Sequence, residues 1–543
     1  MTDSSSNAYE QERRVKRDRL REIGVNPYGQ RTGGLTPLAG IRDAFKPEFG
    51  HDAGPVVRAA GRIMLKRDMG KLSFITIRDD TGDLQIGLDK KRLSEQDWQV
   101  NELLDLGDQI VVEGPLGTTR KGEITIWASS LAISCKALLP PPAKWEGLSD
   151  VELRYRQRYV DLWANPEVMK LARLRIRIVE EVRAFLRGRG FVEVETPMMQ
   201  TLHGGANARP FVTKMNALDL DLYMRIAPEL FLKRLLVGGM PRIFELNRNF
   251  RNEGMSPRHN PEFTMLEAYE AYGSWETMAE LVESMICHVA QVVLGGLRIP
   301  RAPSLLYPDH STVRGRESGL TEINLTPPWR RVRMDQLVHE MTGWRFDGTP
   351  IERSGSHLWD VLSAEARLKL NPVPGVFSPG DETSDFKHFY IATGHAARLG
   401  LDLPGLSAAE QLVQVFEKLI EPQLINPTFV TQVPSVAIPL ARPNQEDPFF
   451  ADVYELIING VEISPGYTEL NDPDVQAAQF QRQVGDKDEQ QKHDEDFIAA
   501  LKYGMPPAGG MGMGIDRLVM MLTGAESIRD VILFPLMKPT SQE

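Results

Sequence analysis

The fold is decided by the stretch Gly509-Gly510-Met511-Gly512-Met513-Gly514-Ile515-Asp516-Arg517-Leu518. Its glycines suggest a dinucleotide-binding loop, but the GxGxxG spacing fails because Ile515 or Arg517, depending on the register, replaces the third glycine. The chain also contains no GxxxxGK(S/T) phosphate loop. The remaining interpretation is a glycine-rich strand that feeds a helix beginning near Ile515 and burying Leu518 and Leu522. Arg517 then lies close to the helix N-terminus, where backbone N–H groups and the helix dipole favour an anion.

A second charged stretch is Phe250-Arg251-Asn252-Glu253-Gly254-Met255-Ser256-Pro257-Arg258-His259-Asn260-Pro261-Glu262-Phe263. It is predicted to form two extended segments around a turn. The guanidinium groups of Arg251 and Arg258 could neutralise phosphate charge, and the ring of Phe263 could cover a nucleobase. A hairpin of this kind is more often just a solvated turn, so the stretch alone does not define a site.

Two carboxylates, Glu455 and Glu462, flank a predicted strand at residues 453–458 and the turn-like Asn459-Gly460. Carboxylate pairs beside a phosphate usually hold magnesium rather than act as acid and base. In isolation the two residues would be exposed strand and turn residues.

The predicted fold class is α+β in two domains. Residues 1–50 are expected to form a basic helical arm and linker, residues 51–140 an oligonucleotide-binding β-barrel, and residues 141–543 a catalytic domain built on an antiparallel sheet flanked by helices. Stretches rich in Pro, Gly and Ser near residues 296–328 and 371–385 are interpreted as surface insertions.

The barrel is predicted from short strands at residues 56–63, 73–78, 84–88, 109–113 and 123–133. Turn residues separate them, and five short strands in this length favour a small closed barrel.

Composition places the protein among ordinary globular chains, with 543 residues, 42% of them hydrophobic and 25% charged. A net charge of −11 argues against coating nucleic acid through bulk positive charge. Cys135 and Cys287 suggest neither a disulfide framework nor a zinc site, which favours the cytoplasm. No apolar run approaches the roughly 20 residues that span a bilayer, so no membrane is expected.

A basic cluster near the N-terminus is interpreted either as a solvated arm or as an RNA backbone contact. Its members are Arg13, Arg14, Lys16, Arg17, Arg19 and Arg21.

Three segments, in this order, resemble the three motifs of class II aminoacyl-tRNA synthetases: Glu195-Thr196-Pro197, the hairpin that begins at Phe250, and Gly512-Met513-Gly514-Ile515-Asp516-Arg517. Within that class the chain is similar to the lysyl-tRNA synthetases over nearly its whole length, for example at Arg225-Ile226-Ala227-Pro228-Glu229-Leu230 and Thr468-Glu469-Leu470-Asn471-Asp472. The resemblance implies ATP-dependent activation of lysine, transfer of lysine to its tRNA, Mg²⁺, and a homodimer formed through the first motif.

The resemblance also assigns roles to residues. Arg251 and Arg517 would be catalytic. The ATP-binding set would be Arg251, Glu253, Arg258, His259, Asn260, Phe263 and Arg517, with Phe263 and Arg517 on either side of the base. The amino acid would contact Gly205, Glu229, Arg251, Glu267, Tyr269, Tyr467 and Glu469. Glu455 and Glu462 would hold the metal, and Arg62, Phe74 and Gln85 would bind the anticodon.

Two positions depart from the family pattern. Pro465 stands where lysyl enzymes ordinarily carry Asn, which helps to hold the substrate carboxylate, and proline offers no equivalent donor. Val436 and Ile438 stand where Glu and Ser are usual. Two alternatives therefore stay open: a related ligase that modifies a protein or lipid, and an inactive RNA-binding paralogue.

Overall fold

The computed structural model describes residues 4–141, 148–300, 322–350, 405–483 and 494–539. The chain forms two compact units, residues 1–169 and residues 170–543. The predicted insertion at 371–385 lies outside the described residues, and so does most of the one at 296–328.

The first unit contains a six-stranded barrel. Its strands are β1 (Val56–Met69), β2 (Leu72–Arg78), β3 (Asp83–Asp89), β4 (Gln109–Thr118), β5 (Ile124–Trp127) and β6 (Ser130–Cys135). They follow the order β1-β2-β3-β5-β4-β6, and a further β1–β4 pairing closes the sheet. The predicted fifth strand is in fact two strands. Strand β5 pairs with both β3 and β4, whereas β6 pairs with β4 and no longer with β3.

The helices of this unit are α1 (Ser4–Glu22), α2 (Leu38–Asp43), α3 (Glu95–Leu103), α4 (Val151–Arg156) and α5 (Arg158–Ala164).

Helix α1 carries the basic cluster, and its basic side chains are paired or hydrogen-bonded within the first unit. Arg13 is buried and donates through Nη1 to the carbonyl oxygens of Leu106, Ala137 and Leu139, at 3.0, 3.1 and 3.1 Å. Lys16 pairs with Asp105 at 2.7 Å. The other four basic side chains pair with acidic neighbours on α1: Arg14 with Glu10, Arg17 and Arg21 with Asp18, and Arg19 with Glu22. Arg13 therefore anchors the helix to the barrel.

The second unit is built on an eight-stranded sheet of order β15-β16-β17-β18-β19-β12-β11-β7. The pairs at its two edges, β15–β16 and β7–β11, are parallel, and the others are antiparallel. The strands of the unit are β7 (Val192–Glu193), β8 (Met199–Gln200), β9 (Val212–Met215), β10 (Leu220–Met224), β11 (Arg242–Phe250), β12 (Glu262–Ala271), β13 (Arg298–Pro300), β14 (Glu322–Asn324), β15 (Arg330–Arg333), β16 (Thr428–Thr431), β17 (Val453–Ile458), β18 (Val461–Thr468) and β19 (Ala508–Gly514).

Helices flank the sheet, in agreement with the predicted α+β class. They are α6 (Pro166–Gly188), which begins in the first unit, α7 (Glu229–Val237), α8 (Trp275–Leu294), α9 (Met334–Thr342), α10 (Ala408–Val415), α11 (Pro473–Gln483), α12 (Glu495–Lys502), α13 (Ile515–Thr523) and α14 (Ile528–Val531). The prediction from the glycine-rich stretch is confirmed: β19 runs into α13, which begins at Ile515 and buries Leu518 and Leu522.

Helix α8 corrects one expectation from the sequence. Among the described helices it alone is long and apolar enough, by length and composition, to cross a membrane. Its buried side chains, including Met278, Val282 and Ile286, pack in the core against strands such as β19. The apolar run is thus the core helix of the sheet.

Candidate active site

The second unit encloses a cavity of about 430 Å³ beside its central strands. Most of the predicted site residues line it: Gly205, Glu229, Arg251, Glu253, Arg258, His259, Asn260, Phe263, Glu267, Tyr269, Glu462, Tyr467 and Arg517. Glu455 and Glu469 do not line it. The fold thus brings residues from five stretches of chain into one cavity.

Arg251 follows β11 and places a half-buried cation in the cavity. Its guanidinium carbon lies 5.1 Å from the ring centre of Phe263. Burial lowers the pKa of Arg251 from its ordinary value, and the nearby Arg517 also lowers it. Within the described part of the chain, the buried Nε of Arg251 has no hydrogen-bond partner. A buried donor without a partner is costly unless a ligand satisfies it, so this position favours an anion.

Arg517, in the first turn of α13, contacts Glu462 on β18 and His259 in the hairpin that begins at Phe250. Its Nη1 donates to the backbone oxygen of Glu462 at 3.0 Å and lies 3.6 Å from that residue's carboxylate. Its Nη2 lies 3.3 Å from Nε2 of His259, whose Nδ1 lies 2.8 Å from the hydroxyl of Ser256. Burial lowers the pKa of His259, and Arg517 adds to this. Because arginine only donates, Nε2 accepts, and the proton of the neutral ring is on Nδ1.

The ring of Phe263 has Arg251 as a guanidinium neighbour within the cavity. The predicted placement of the base between Phe263 and Arg517 stays a prediction. Asn260 donates from Nδ2 to the backbone oxygen of Glu262 at 2.6 Å, which holds the end of the hairpin.

A residue that sequence reasoning missed holds the third motif in place. Arg175 of α6 pairs with Asp516 at 2.5 Å and donates to the hydroxyl of Thr264 at 3.1 Å. The other oxygen of Asp516 accepts the backbone N–H of Thr264 at 2.8 Å. Asp516 therefore joins α13 to β12. In the sequence, the aspartate of the third motif was the signal that a cationic partner is needed.

Buried carboxylates form the amino-acid end of the cavity. The hydroxyl of Tyr269 donates to Glu267 at 3.1 Å, and the two residues lie on the same face of β12. Burial, together with the charge of Glu229, raises the pKa of Glu267 to about 8. A carboxyl group in this state readily accepts a cationic ligand, which would return it to the ionised form.

Glu469 lies just behind the cavity wall at Gly510. A Cβ atom added at Gly510 would overlap Oε1 of Glu469 and lie 2.6 Å from Cε1 of Tyr269. Oε2 of Glu469 forms an ion pair of 2.5 Å with Nζ of Lys233, and among the described residues neither carboxylate oxygen has a partner with hydrogen-bond geometry. Lys233 is a second residue that sequence reasoning missed; its place four residues after Glu229 on α7 was the available signal.

The two departures from the family pattern lie in different surroundings. Pro465 lines the cavity on β18, just before Gly466, where the pairing with β19 begins, so its missing N–H falls at the edge of that ladder. Ile438 also lines the cavity, but Val436 does not and is 66% exposed. Only Pro465 and Ile438 are placed to alter ligand contacts.

The carboxylates predicted to hold a metal lie on adjacent strands. Glu455 is opposite Pro465 in the β17–β18 ladder, and Glu462 follows the turn at Asn459 and Gly460, both of which have positive φ. Burial raises the pKa of Glu455 well above its ordinary value, and the charge of Glu462 adds to this. A buried carboxylate whose ionisation is opposed by a neighbouring carboxylate suits a divalent cation. No group of three or more His, Cys, Asp or Glu residues within the described ranges is arranged to hold a metal.

In the first unit, Phe74 and Gln85 lie on one face of neighbouring strands. Phe74 is opposite Gly87, and Gln85 is two residues before Gly87 on β3. The Phe74 ring contacts Trp127 edge-on, with 5.9 Å between ring centres, and Gln85 donates to the hydroxyl of Thr125 at 2.9 Å. Trp127 was missed because only the β3–β5 pairing brings it beside Phe74.

Arg62 lies on the same face of the barrel sheet, because it is opposite Arg78 on β2, four residues from Phe74. Its guanidinium carbon lies 4.7 Å from the ring centre of Trp163, and Nη1 donates to the backbone oxygen of Gly107 at 2.9 Å. The predicted trio therefore shares one face, with Arg62 also engaged by neighbouring groups.

Comparison with known families agrees with both units. Residues 150–538 match the tRNA synthetases class II (D, K and N), and residues 57–133 match the OB-fold nucleic acid binding domain. Fold and site thus define a class II tRNA synthetase.

The chain is 46% identical over 528 residues to the lysine–tRNA ligase of Carboxydothermus hydrogenoformans, covering 96% of both chains. It is 46% identical over 535 residues to that of Pelotomaculum thermopropionicum, covering 97% of this chain and 94% of the relative. For that of Xanthomonas axonopodis pv. citri the identity is 43% over 538 residues, covering 97% and 96%. The chain belongs to the lysine–tRNA ligase family.

Proposed function

We propose that the protein activates lysine with ATP and transfers it to the 3′ end of lysine tRNA. The observation that carries the proposal is the set of groups lining one cavity: Arg251, whose buried Nε has no hydrogen-bond partner among the described residues, and the buried carboxyl groups of Glu229 and Glu267. Lysine has one carboxylate and two ammonium groups, and this cavity offers groups of opposite charge to each.

The reaction needs no protein nucleophile. A carboxylate oxygen of lysine attacks the α-phosphorus of ATP in line, the bond to the bridging oxygen breaks, and pyrophosphate leaves. The terminal ribose hydroxyl of tRNA then attacks the lysyl carbonyl, and AMP leaves. Arg251 and Arg517 neutralise charge that develops on the phosphate, while Glu229, Glu267 and the pocket wall hold the amino acid in position.

Magnesium fits the remaining carboxylates. Glu455 and Glu462 would hold Mg²⁺, which would add charge neutralisation at the phosphates of ATP. Arg517 already contacts Glu462, so it would link this pair to the nucleotide site.

The test is ATP–pyrophosphate exchange with each of the twenty amino acids, followed by charging of bulk tRNA. Exchange that depends on lysine, together with charging, is the expected result. Exchange without charging would favour a ligase that modifies a protein or lipid. No exchange with any amino acid would exclude both enzymes and leave the RNA-binding paralogue.

Pro465→Asn tests the departure that lines the cavity. If Pro465 costs a contact to the substrate carboxylate, restoring an amide donor should lower the KM for lysine by about tenfold, the worth of one hydrogen bond to a charged group. The measurement is the lysine dependence of exchange at saturating ATP. An unchanged KM would show that Arg251 supplies the contact unaided.

We also propose that the barrel binds the anticodon through Phe74 and Gln85, with Arg62 nearby, because unstacked bases stack on aromatic rings and bond to amides. Phe74→Ala should reduce kcat/KM for tRNA charging by about tenfold or more, since stacking on one base is worth roughly 1–3 kcal/mol. Lysine-dependent exchange should stay unchanged, and Phe74→Trp, which keeps a ring, should retain charging. Equal charging by Phe74→Ala and the unsubstituted protein would contradict the role.

A homodimer and a cytoplasmic location complete the proposal. Ile176 on α6 and Val192 on β7 are apolar, and each is 53% exposed; these elements belong to the first motif, through which the family dimerises. A molecular mass from light scattering equal to that of one chain would contradict the dimer. Cys135 and Cys287 are free thiols, which suits a reducing compartment.

A further inference from the structure

Lys233 is a buried cation that none of the assigned roles uses. It lies on α7 and its side chain is 0% exposed. Its Nζ lies 2.8 Å from Oε1 of Glu229, 2.5 Å from Oε2 of Glu469 and 3.2 Å from the backbone oxygen of Leu440. The ammonium group thus donates two hydrogen bonds and forms a close ion pair with Glu469.

Lys233 therefore acts on other residues rather than on a ligand. It does not line the cavity, whereas Glu229 and Leu440 do. Burial alone would lower the pKa of Lys233, but the charges of Glu229 and Glu469 outweigh it, so that the pKa is raised and the side chain stays cationic. A cation in this position holds one carboxylate on α7 and another at the end of β18 in fixed geometry.

The carboxyl groups near Lys233 outnumber its single ammonium group. Glu229, Glu267 and Glu469 supply three carboxyl groups, and Lys233 supplies one ammonium group, so that two negative charges remain when all are ionised. Lysine brings two ammonium groups, and its carboxylate can be matched by Arg251. Oε2 of Glu469 is paired with Lys233, so the buried Oε1 beside Gly510 is the oxygen left for a substrate ammonium group.

We propose that Lys233 is a positioning residue for the amino acid: it ties Glu229 to Glu469, turns the free oxygen of Glu469 towards the cavity wall, and sets a charge that two substrate ammonium groups neutralise. The inference rests on the proposed function, because it assumes that lysine occupies the cavity. Without Lys233, the carboxyl groups of Glu229 and Glu469 would be buried with no cation between them, which opposes their binding of substrate as ionised groups.

The experiment uses the full chain and measures ATP–pyrophosphate exchange in Lys233→Met, which keeps the side-chain length and removes the charge. The KM for lysine should rise about tenfold or more, while the KM for ATP should stay within about twofold, because the substitution acts only on the amino-acid end. Lys502→Met, an exposed lysine late in a helix, is the matched control and should leave both constants unchanged.

A pH profile separates positioning from general damage. Lysine needs ionised carboxylates, and the pKa of Glu267 is raised, so the KM for lysine should fall as the pH rises towards about 8. Loss of Lys233 removes the cation that lowers the pKa of Glu469, so the profile of Lys233→Met should move to higher pH. The charged and titratable groups around Glu267 and Lys233 are Arg225, Glu229, Glu245, Tyr269, Tyr467 and Glu469.

The outcomes are distinct. If the unsubstituted protein shows no lysine-dependent exchange, the proposed function fails and the inference fails with it. If that exchange is normal but Lys233→Met keeps the KM and the pH profile, or raises both KM values equally without moving the profile, the inference alone is overturned. Should Lys233→Met not fold, Lys233→Arg, which keeps the charge, should retain the unsubstituted pH profile; a displaced profile would overturn the inference.

Discussion

Arg251→Gln is expected to lower kcat for lysine-dependent ATP–pyrophosphate exchange by about 10³-fold, the effect seen when a preorganised cation or donor at a reacting phosphate or carbonyl is removed. The guanidinium group of Arg251 lies over Phe263, and its Nε is buried without a hydrogen-bond partner among the described residues. This part of the group is already out of water, so it needs little reorganisation when negative charge develops. Glutamine keeps a polar side chain but cannot supply the charge.

The matched control is Arg331→Gln. Arg331 also lies over a phenylalanine, Phe429, at 5.7 Å, but it is exposed on β15 and does not line the cavity. Its substitution should leave kcat within about twofold, which is usual for a surface change. A loss of less than tenfold in Arg251→Gln, with the far-ultraviolet circular dichroism of both variants unchanged, would show that Arg251 does not stabilise the transition state.

The parts of the fold predicted correctly from the sequence depend on local patterns. Strand β17 and the turn at Asn459 follow from a short, nearly continuous apolar run and from a dipeptide suited to positive φ. Helix α13 follows from glycines that stop at Ile515. The predicted fifth barrel strand is two strands because its two halves pair with different neighbours. Such pairing is set across the sheet and leaves no signal in the sequence of the strand itself.

In the candidate site, too, residues in continuous motifs could be predicted from the sequence, and residues joined by long-range contacts could not. The hairpin and the third motif are continuous stretches, so Arg251 and Arg517 could be chosen from sequence. The pairing of Lys233 with Glu469 joins residues 236 positions apart, and the Arg175–Asp516 pair spans 341 positions. Such contacts are set by how helices pack on the sheet, and a sequence alone reports neither the packing nor the burial that makes these charges important.

Gly510→Ala is expected to raise the KM for lysine by about tenfold to 100-fold, with a much smaller change in the KM for ATP. The added methyl group would occupy the position of Oε1 of Glu469 and lie 2.6 Å from Cε1 of Tyr269. Glu469 is held from its other side by Lys233 at 2.5 Å, so it cannot move away without breaking that pair. Overpacking of a tight core costs about 1–3 kcal/mol, and each 1.4 kcal/mol is tenfold in a binding constant.

The comparison that isolates this effect is Gly512→Ala, two residues along the same strand and on the same face of the sheet. There the new Cβ would lie 2.7 Å from Cε of Met265 and 3.8 Å from Cγ of Pro465. The methyl end of a methionine can rotate away, whereas a carboxylate tied to a buried ammonium cannot. Gly512→Ala should therefore change the KM for lysine by less than about threefold. Equal losses in the two variants would mean that β19 tolerates no side chain at either position, and that the fixed carboxylate of Glu469 is not what makes glycine necessary at Gly510.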